Sequence, residues 1–320
     1  MIYVATTTSG AQRNLGSAYS VQINKSREAP ADSLTAVFFS KENHPEYKSI
    51  AVYAEEASQL FFDGVVDEQN FEVTATGCFL TIKSRSKAAV LIDNEATPQT
   101  YKRPSLDIIF RRHIKPYGFS AINGEQSSFN ATIEVEKGMS EWDVLELFCS
   151  VCLNSFPIVN ADGTIDIAGD TDSRPLTFSN SSSGGVNYSA ISQKYSRYKL
   201  ISEITVCEQY SATYAATIRD QGLIDRGISR RKFIGMSEDT ITGISDKKVS
   251  VKTAEQMIEN AKRKFCEITV KCPNAVQAKI GARCQINDDV LGRIEGLKIY
   301  EVEYKLSRAG EFTTITLLKE

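Results

Sequence analysis

Apolar and polar residues alternate in short runs along most of the chain, and the spacing becomes helical in a few stretches. The clearest change falls at SEWDVLELFCSVCL, residues 140–153. There Trp142, Leu145, Phe148, Cys149 and Cys152 recur at helical intervals and form one stripe to bury, leaving Glu141 and Glu146 for solvent. Ser140 is placed to cap this helix, with Asp143 three residues on completing a capping box and Met139 and Val144 at hydrophobic-staple spacing. Asn154 can end it. Phe156 to Asn160 and Thr164 to Ala168 then predict two short strands around Asp162-Gly163, a dipeptide that tolerates the positive φ angles of a hairpin turn. Pro157, lacking an N–H, assigns the first of them to a sheet edge.

Before this helix the pattern is mostly that of strands. Tyr19 to Asn24 predicts one, Leu34 to Ser40 a fully buried one, and Ser49 to Ala54 and Gln59 to Val66 follow, with Gly64 marking a bulge or a close backbone approach. Phe71 to Thr76 and Cys78 to Ser84 form a hairpin at Gly77, and Lys87 to Asp93 a short helix. Residues 1–97 thus predict a closed or nearly closed antiparallel β-barrel. After Thr97-Pro98, Ser105 caps a helix to Ile114 whose Leu106, Ile109, Phe110 and Ile114 share a face, and Pro116 with Gly118 stops it. Arg111-Arg112-His113 reads as cations compensating the end of that helix in preference to a phosphate site. Asn123 to Asn130 is a polar connection and Ala131 to Glu136 a strand. Residues 98–170 therefore make a small α+β unit with helices near 105–114 and 141–153 and the hairpin of 156–168.

Gly169 to Gly185 is polar and reads as a surface loop, the least expected place for a core. Lys199 to Glu208 predicts a strand. An insertion near 213–266 holds an irregular segment with Arg230, Arg231 and Lys232, then a helix from Thr253 to Phe265. Ile268 to Lys271, Ala282 to Ile286, Leu297 to Leu306 and Glu311 to Leu318 return to strand, the last two turning at Gly310. Residues 171–320 so predict a second antiparallel barrel with a helical insertion. The expected class is mainly β with α+β: two barrels flanking a small α+β domain.

At 320 residues with 42% apolar and 24% charged positions, the chain is long enough for two or three domains. The 37 basic and 40 acidic residues give a net charge of −3, which argues against a surface built to bind nucleic acid. No apolar window reaches the length of a membrane-spanning helix, and MIYVATTTSGAQRN lacks a signal-peptide layout, so synthesis in the cytoplasm is expected. Seven cysteines, an odd and scattered set, suit a reducing compartment. Cys149-x-x-Cys152 lies late on the apolar stripe of its helix and reads as two small core residues, not a redox or zinc site.

With two histidines, His44 and His113, a triad or a multi-histidine metal site has little to build from, and phosphate-loop patterns are absent. The acidic pairs Glu55-Glu56, Asp67-Glu68 and Asp288-Asp289 are adjacent in sequence and would point to different faces; Asp162-Gly163 lacks the spaced ligands of a calcium loop. No catalytic, cofactor-binding or metal residue is assigned, no cofactor is expected, and a structural, non-enzymatic role is favoured.

Several landmarks fall in a distinctive order: Phe62-Asp63-Gly64-Val65-Val66-Asp67, then Leu80-Thr81-Ile82-Lys83-Ser84-Arg85-Ser86, the helix Ser105 to Ile114, Trp142 through Leu153 with the Asp162-Gly163 hairpin, Gln193-Lys194-Tyr195-Ser196-Arg197-Tyr198, and Gly310-Glu311-Phe312-Thr313-Thr314. In this order the chain resembles, over nearly its whole length, the baseplate hub proteins of contractile-tailed phages, often labelled late control protein D. Their relatives occur in phage-derived bacteriocins and in the N-terminal part of type VI secretion spikes. The resemblance implies two tail-tube-like barrels fused in one chain. Three chains then form a pseudo-sixfold homotrimeric ring that adapts a hexameric tail tube to a trimeric central spike. It implies as partners the tube ring, the spike and other baseplate proteins, with a place in the virion or tail-like particle, and no lytic domain after the second barrel. A hub or distal-tail protein of a non-contractile phage is the nearest alternative, and a cell-wall hydrolase with dispersed carboxylates is the alternative from another class.

Overall fold

The computed structural model describes residues 1–54, 59–167, 174–180, 184–207, 214–235 and 246–319. The pair Glu55-Glu56, Ala168, Gly169 and Glu208 lie outside the described residues, as do parts of the polar run 169–185 and of the insertion 213–266.

The first seven strands are β1 (Ile2–Thr7), β2 (Gln12–Asn14), β3 (Ala18–Ser26), β4 (Ser33–Ser40), β5 (Tyr47–Ala54), β6 (Gln59–Thr74) and β7 (Gly77–Ser86). They lie in the order β3-β4-β7-β6-β5-β1-β2, each pair antiparallel, around a core that includes Tyr3, Ile23, Leu34, Phe38, Ile50, Phe62 and Leu80. The expectation that Leu34 to Ser40 is buried on both faces is corrected: Leu34, Ala36, Phe38 and Ser40 point inward, while Thr35 and Phe39 face out, Phe39 with 55% of its surface exposed. Gln59 to Val66 and Phe71 to Thr76 are not two strands but one. The polar residues between them do not break it, because Arg85 and Lys83 on β7 take up Asp67 at 2.8 Å and Glu68 at 2.6 Å across the ladder. Gly64 sits at a close approach, as its place in the strand suggested: a Cβ there would lie 2.3 Å from the Arg85 carbonyl oxygen.

The middle of the chain holds α1 (Ala89–Ile92), β8 (Gln99–Lys102), α2 (Leu106–Ile109), β9 (Ala121–Asn123), β10 (Thr132–Val135), α3 (Glu141–Phe148), β11 (Pro157–Val159) and β12 (Thr164–Ile167). Both α2 and α3 run on into π-helical turns, at 110–114 and 149–153. The cap chemistry is as expected. The Ser105 hydroxyl accepts from the Ile108 amide, and Ser140 and Asp143 form the reciprocal capping box. Gly118 (φ 82°) and Asn154 (φ 50°) end the two helices in the left-handed region. Gly163 turns the β11–β12 hairpin with φ 78°, and β11, carrying Pro157, pairs with β12 alone among the described residues. Trp142, Leu145, Phe148 and Cys149 are buried with Leu106, Ile109 and Ile114, and Ala88 and Leu91 join the same cluster. Trp142→Ala is expected to cost about 3 kcal/mol or more, because the neighbours of a buried indole relax only partly. Urea denaturation reads this, and a variant melting like the parent would remove α3 from the core.

The remaining elements are β13 (Leu176–Ser179), β14 (Val186–Asn187), β15 (Ala190–Tyr195), β16 (Glu203–Cys207), β17 (Tyr214–Arg219), α4 (Gln221–Asp225), β18 (Arg231–Gly235), α5 (Asp246–Arg263), β19 (Cys266–Pro273), β20 (Arg283–Asp288), β21 (Gly292–Ser307) and β22 (Gly310–Lys319). The strands β16, β17 and β18 form a separate sheet on which α5 packs, through Ile204 and Val206 against Ala254, Ile258 and Ala261. Three expectations are corrected here. The polar run contributes β13, whose Phe178 is fully buried in a core with Ile286, Ile299 and Leu317. The strand expected from Lys199 starts at Glu203, after a 3-10 turn over Arg197–Lys199. The helix expected from Thr253 starts at Asp246. The second half is also not wholly antiparallel, since β13 runs parallel to β14 and β20.

The two halves are continuous. Strand β21 is 16 residues long, about 50 Å at the usual strand rise. Its first part pairs with β20, its second part pairs with β3 from Glu301↔Ser26 to Leu306↔Val21, and β22 runs along its other edge. One 14-stranded sheet therefore passes through both halves. Val302 of β21 belongs to the core of the second half, and Tyr304, two residues on, belongs to that of the first.

Candidate functional site

Three segments far apart in sequence meet beside this seam. The end of β3 and the β3–β4 loop bring Lys25, Arg27 and Asp32, the β11–β12 hairpin brings Phe156, Asn160 and Asp166, and the segment before β20 brings Lys279; together with Trp142 they line a cavity of about 760 Å³. The Arg27 guanidinium lies 3.6 Å from the centre of the Phe156 ring, while its amide donates to the Tyr300 carbonyl. Asp166 accepts from Lys279 Nζ at 2.6 Å, Asn160 Nδ2 at 2.8 Å and Asn123 Nδ2 at 2.7 Å. Burial works to raise this carboxyl, but those donors outweigh it and hold its pKa below the usual value. The hairpin also sends Ile158 into the core of the second half. The arrangement is a joint: charge-assisted contacts and one apolar anchor tie the middle unit to both halves.

Lys25 and Asp32 are the costly residues of the joint. Burial lowers the Lys25 pKa, with Asp32 opposing the shift, and burial pushes Asp32 up to about 6 against the pull of Lys25. Lys25 Nζ donates to the Phe61 carbonyl at 2.6 Å and lies over the Phe61 ring. A carboxyl raised above its unfolded value holds its proton more tightly in the folded chain, so its contribution to stability falls as pH rises from 3.8 to about 6. Asp32→Asn is expected to remove that slope from a plot of denaturation midpoint against pH. An unchanged slope would assign the titration elsewhere.

The two histidines lie in different settings. His113 is not exposed at the helix end but buried: its Nδ1 lies 2.5 Å from Glu141 Oε2, its Nε2 2.7 Å from the Tyr101 hydroxyl, and Tyr117 donates to Glu141 Oε1 at 3.0 Å. Glu141, expected in solvent, is thus corrected to a buried residue whose carboxylate binds the end of α2's π turn. Burial, with the neighbouring carboxylate, raises the Tyr117 hydroxyl. With the imidazole proton on Nδ1 all four groups are satisfied, and the cluster pins α3 to the preceding helix. His44 Nε2 lies 2.7 Å from Ser40 Oγ, a serine–histidine contact at first sight. Ser40, however, donates its proton to the Glu42 carbonyl at 2.8 Å, and the Tyr47 hydroxyl lies 2.8 Å from Nδ1. The ring therefore donates to Ser40 and cannot take its proton, the opposite of a nucleophile–base pair.

The other chemical candidates are engaged in similar ways. Burial raises Cys149 well above the usual thiol range, and Cys152 is half-buried beside it. Asp67 and Glu68 are each paired with a cation. Asp288 accepts from Tyr188, Asn180 and the amides of Val290 and Leu291 at the β20–β21 turn, while Asp289 is exposed. Among the described residues no cluster of histidine, cysteine and acidic side chains is placed to hold a metal ion, and no helix is long and apolar enough to cross a membrane.

A chain of this architecture, two β units sharing a sheet with an α+β unit at their junction, has the fold of phage tail proteins. It superposes on the tail protein from Neisseria meningitidis MC58 with a TM-score of 0.74 at 18% identity, over 99% of this chain and 96% of that one. The match to the 43 kDa tail protein of prophage MuSo2 from Shewanella oneidensis has a TM-score of 0.76 at 16% identity, over 99% and 98% of the two chains. An Escherichia coli type VI secretion component, described as similar to the T4 bacteriophage tail proteins gp27 and gp5, matches with a TM-score of 0.57 at 9% identity, over 95% of this chain and 73% of that one. No protein-family model matches the sequence, and no curated protein matches it significantly.

Proposed function

We propose that the chain is the structural hub of a baseplate in a contractile phage tail or tail-like particle. The carrying observation is the superposition of nearly the whole chain on nearly the whole of two phage tail proteins. In this reading residues 1–97 and 171–320 supply two tube-like barrels, and residues 98–170 supply the domain between them. Three copies close a ring of six barrel units that meets the hexameric tail tube on one side and the trimeric spike on the other, with further baseplate proteins around it. The sheet supports this: among the described residues β2 ends it on one side, and β14 and β15 end its two branches on the other. Such edges invite pairing, and a closed threefold ring covers them without open polymerisation. The role asks for no catalytic group and no sequence-specific contact with nucleic acid, and it places the protein in the assembled particle.

Light scattering after size-exclusion chromatography, alone and with the cognate spike protein, tests the proposal. A species of three times the chain mass is expected; a monomer that persists with the spike present would overturn it.

A further inference from the structure

A second concavity, of about 650 Å³, lies on the other side of Arg27 and Phe156 from the joint. Its walls are the end of α3 with its π turn (Glu146, Ser150, Asn154) and the end of α5 (Asn260, Arg263, Lys264), and its floor is the seam (Lys298, Tyr300, Lys319). A smaller hollow of about 380 Å³ continues it along α5 past Glu255 and Glu259. Gln256 bonds to Asn154 from one wall to the other, and Lys264 pairs with Glu28 of the β3–β4 loop, so the groove is preformed.

Its charge is lopsided. Five basic side chains, Arg27, Arg263, Lys264, Lys298 and Lys319, face it against Glu28 and Glu146. Glu28 and Lys264 pair with one another, which leaves Arg27, Arg263, Lys298 and Lys319 against Glu146, with Glu255 and Glu259 at the far, smaller end. In a chain of net charge −3 this convergence of cations from the β3–β4 loop, α5, β21 and β22 is a local exception. Asn154, Asn260, Ser150 and Ser155 add donors and acceptors suited to a peptide backbone.

We propose that this groove binds an extended acidic segment of a partner protein, its carboxylates lying toward the Lys298–Lys319 end. A peptide is favoured over single-stranded nucleic acid because the aromatic faces here are covered: Arg27 lies over Phe156, and Lys264 lies over Tyr300. A cation thus already occupies one face of each ring on which a base would stack. The inference stands on the isolated chain and does not depend on ring formation, so light scattering and the experiment below can fail separately.

The test is fluorescence anisotropy of a labelled ten-residue peptide alternating Glu and Ser, with labelled oligo-dT as the second arm. Saturable binding of the peptide is expected, weakening as salt is raised. Arg263→Glu with Lys319→Glu is expected to weaken it at least about tenfold, about 1.4 kcal/mol. Arg263→Gln with Lys319→Gln, which removes charge without reversing it, should give a smaller loss and serves if the first variant does not fold. The exposed pair Lys48→Glu with Lys137→Glu, away from the groove, should leave binding within about twofold. Three results would overturn the proposal: no saturable peptide binding, an equal loss in the Lys48/Lys137 variant, or oligo-dT binding as tightly as the peptide.

Discussion

Glu141→Ala is expected to destabilise the folded chain by about 3–5 kcal/mol, more than any exposed acidic residue could, because it leaves buried partners uncompensated. The carboxylate accepts from His113 Nδ1 at 2.5 Å and from the Tyr117 hydroxyl at 3.0 Å, and all of the His113 side chain but 3% is buried. Without it the buried His113 loses its partner, the half-buried Tyr117 hydroxyl loses its acceptor, and the start of α3 loses its tie to the preceding helix. Glu141→Gln keeps an acceptor for one donor and should recover part of the loss. Urea midpoints for the two variants, beside Glu125→Ala as an exposed control, decide the matter. A loss no larger than the control's would show that the cluster does not hold the fold.

Tyr304→Ala should cost a comparable amount, about 3–5 kcal/mol for a large aromatic deleted from a packed core. Tyr304 is 1% exposed, stacks edge-on against Phe61 at 5.6 Å, and donates to Glu311 at 2.7 Å. It differs from other core aromatics in position. It projects from the second half's strand into the first half's core, so its loss should also loosen the coupling between halves. The unfolding transition, expected to be single in the parent, should broaden or split, which calorimetry would show. A sharp single transition at lower temperature would confine the effect to stability.

What the sequence disclosed was local chemistry. Ser105, Ser140 with Asp143, Asn154 and the Asp162-Gly163 turn act on residues three or four positions away, and each does in the structure what its type favours. Phe178 was illegible for the opposite reason. Four residues of strand between serine- and glycine-rich flanks carry too little periodicity, and their burial depends on β20, more than 100 positions later. The joint and the seam were equally hidden. Lys279 meets Asp166 across 113 residues, and Glu141 meets His113 across 28 with no spacing rule to connect them. Asp67 and Glu68 misled because two adjacent acids look like a break in a strand until their cations on β7 are seen. In the CxxC the helical phase put both cysteines on the stripe to be buried, and the structure buries Cys149 and leaves Cys152 half-buried.

The pairing of β3 with β21 also sets the timing of folding. Ser26 and its partner Glu301 are separated by 275 residues, which a ribosome adding about 5–20 residues per second covers in roughly 14–55 s. Throughout that interval the outer edge of β3 has no partner, and the first half is a sheet with an open side. A fragment that stops before β21 is therefore expected to self-associate through this edge, whereas a chain that includes β21 supplies its own cover.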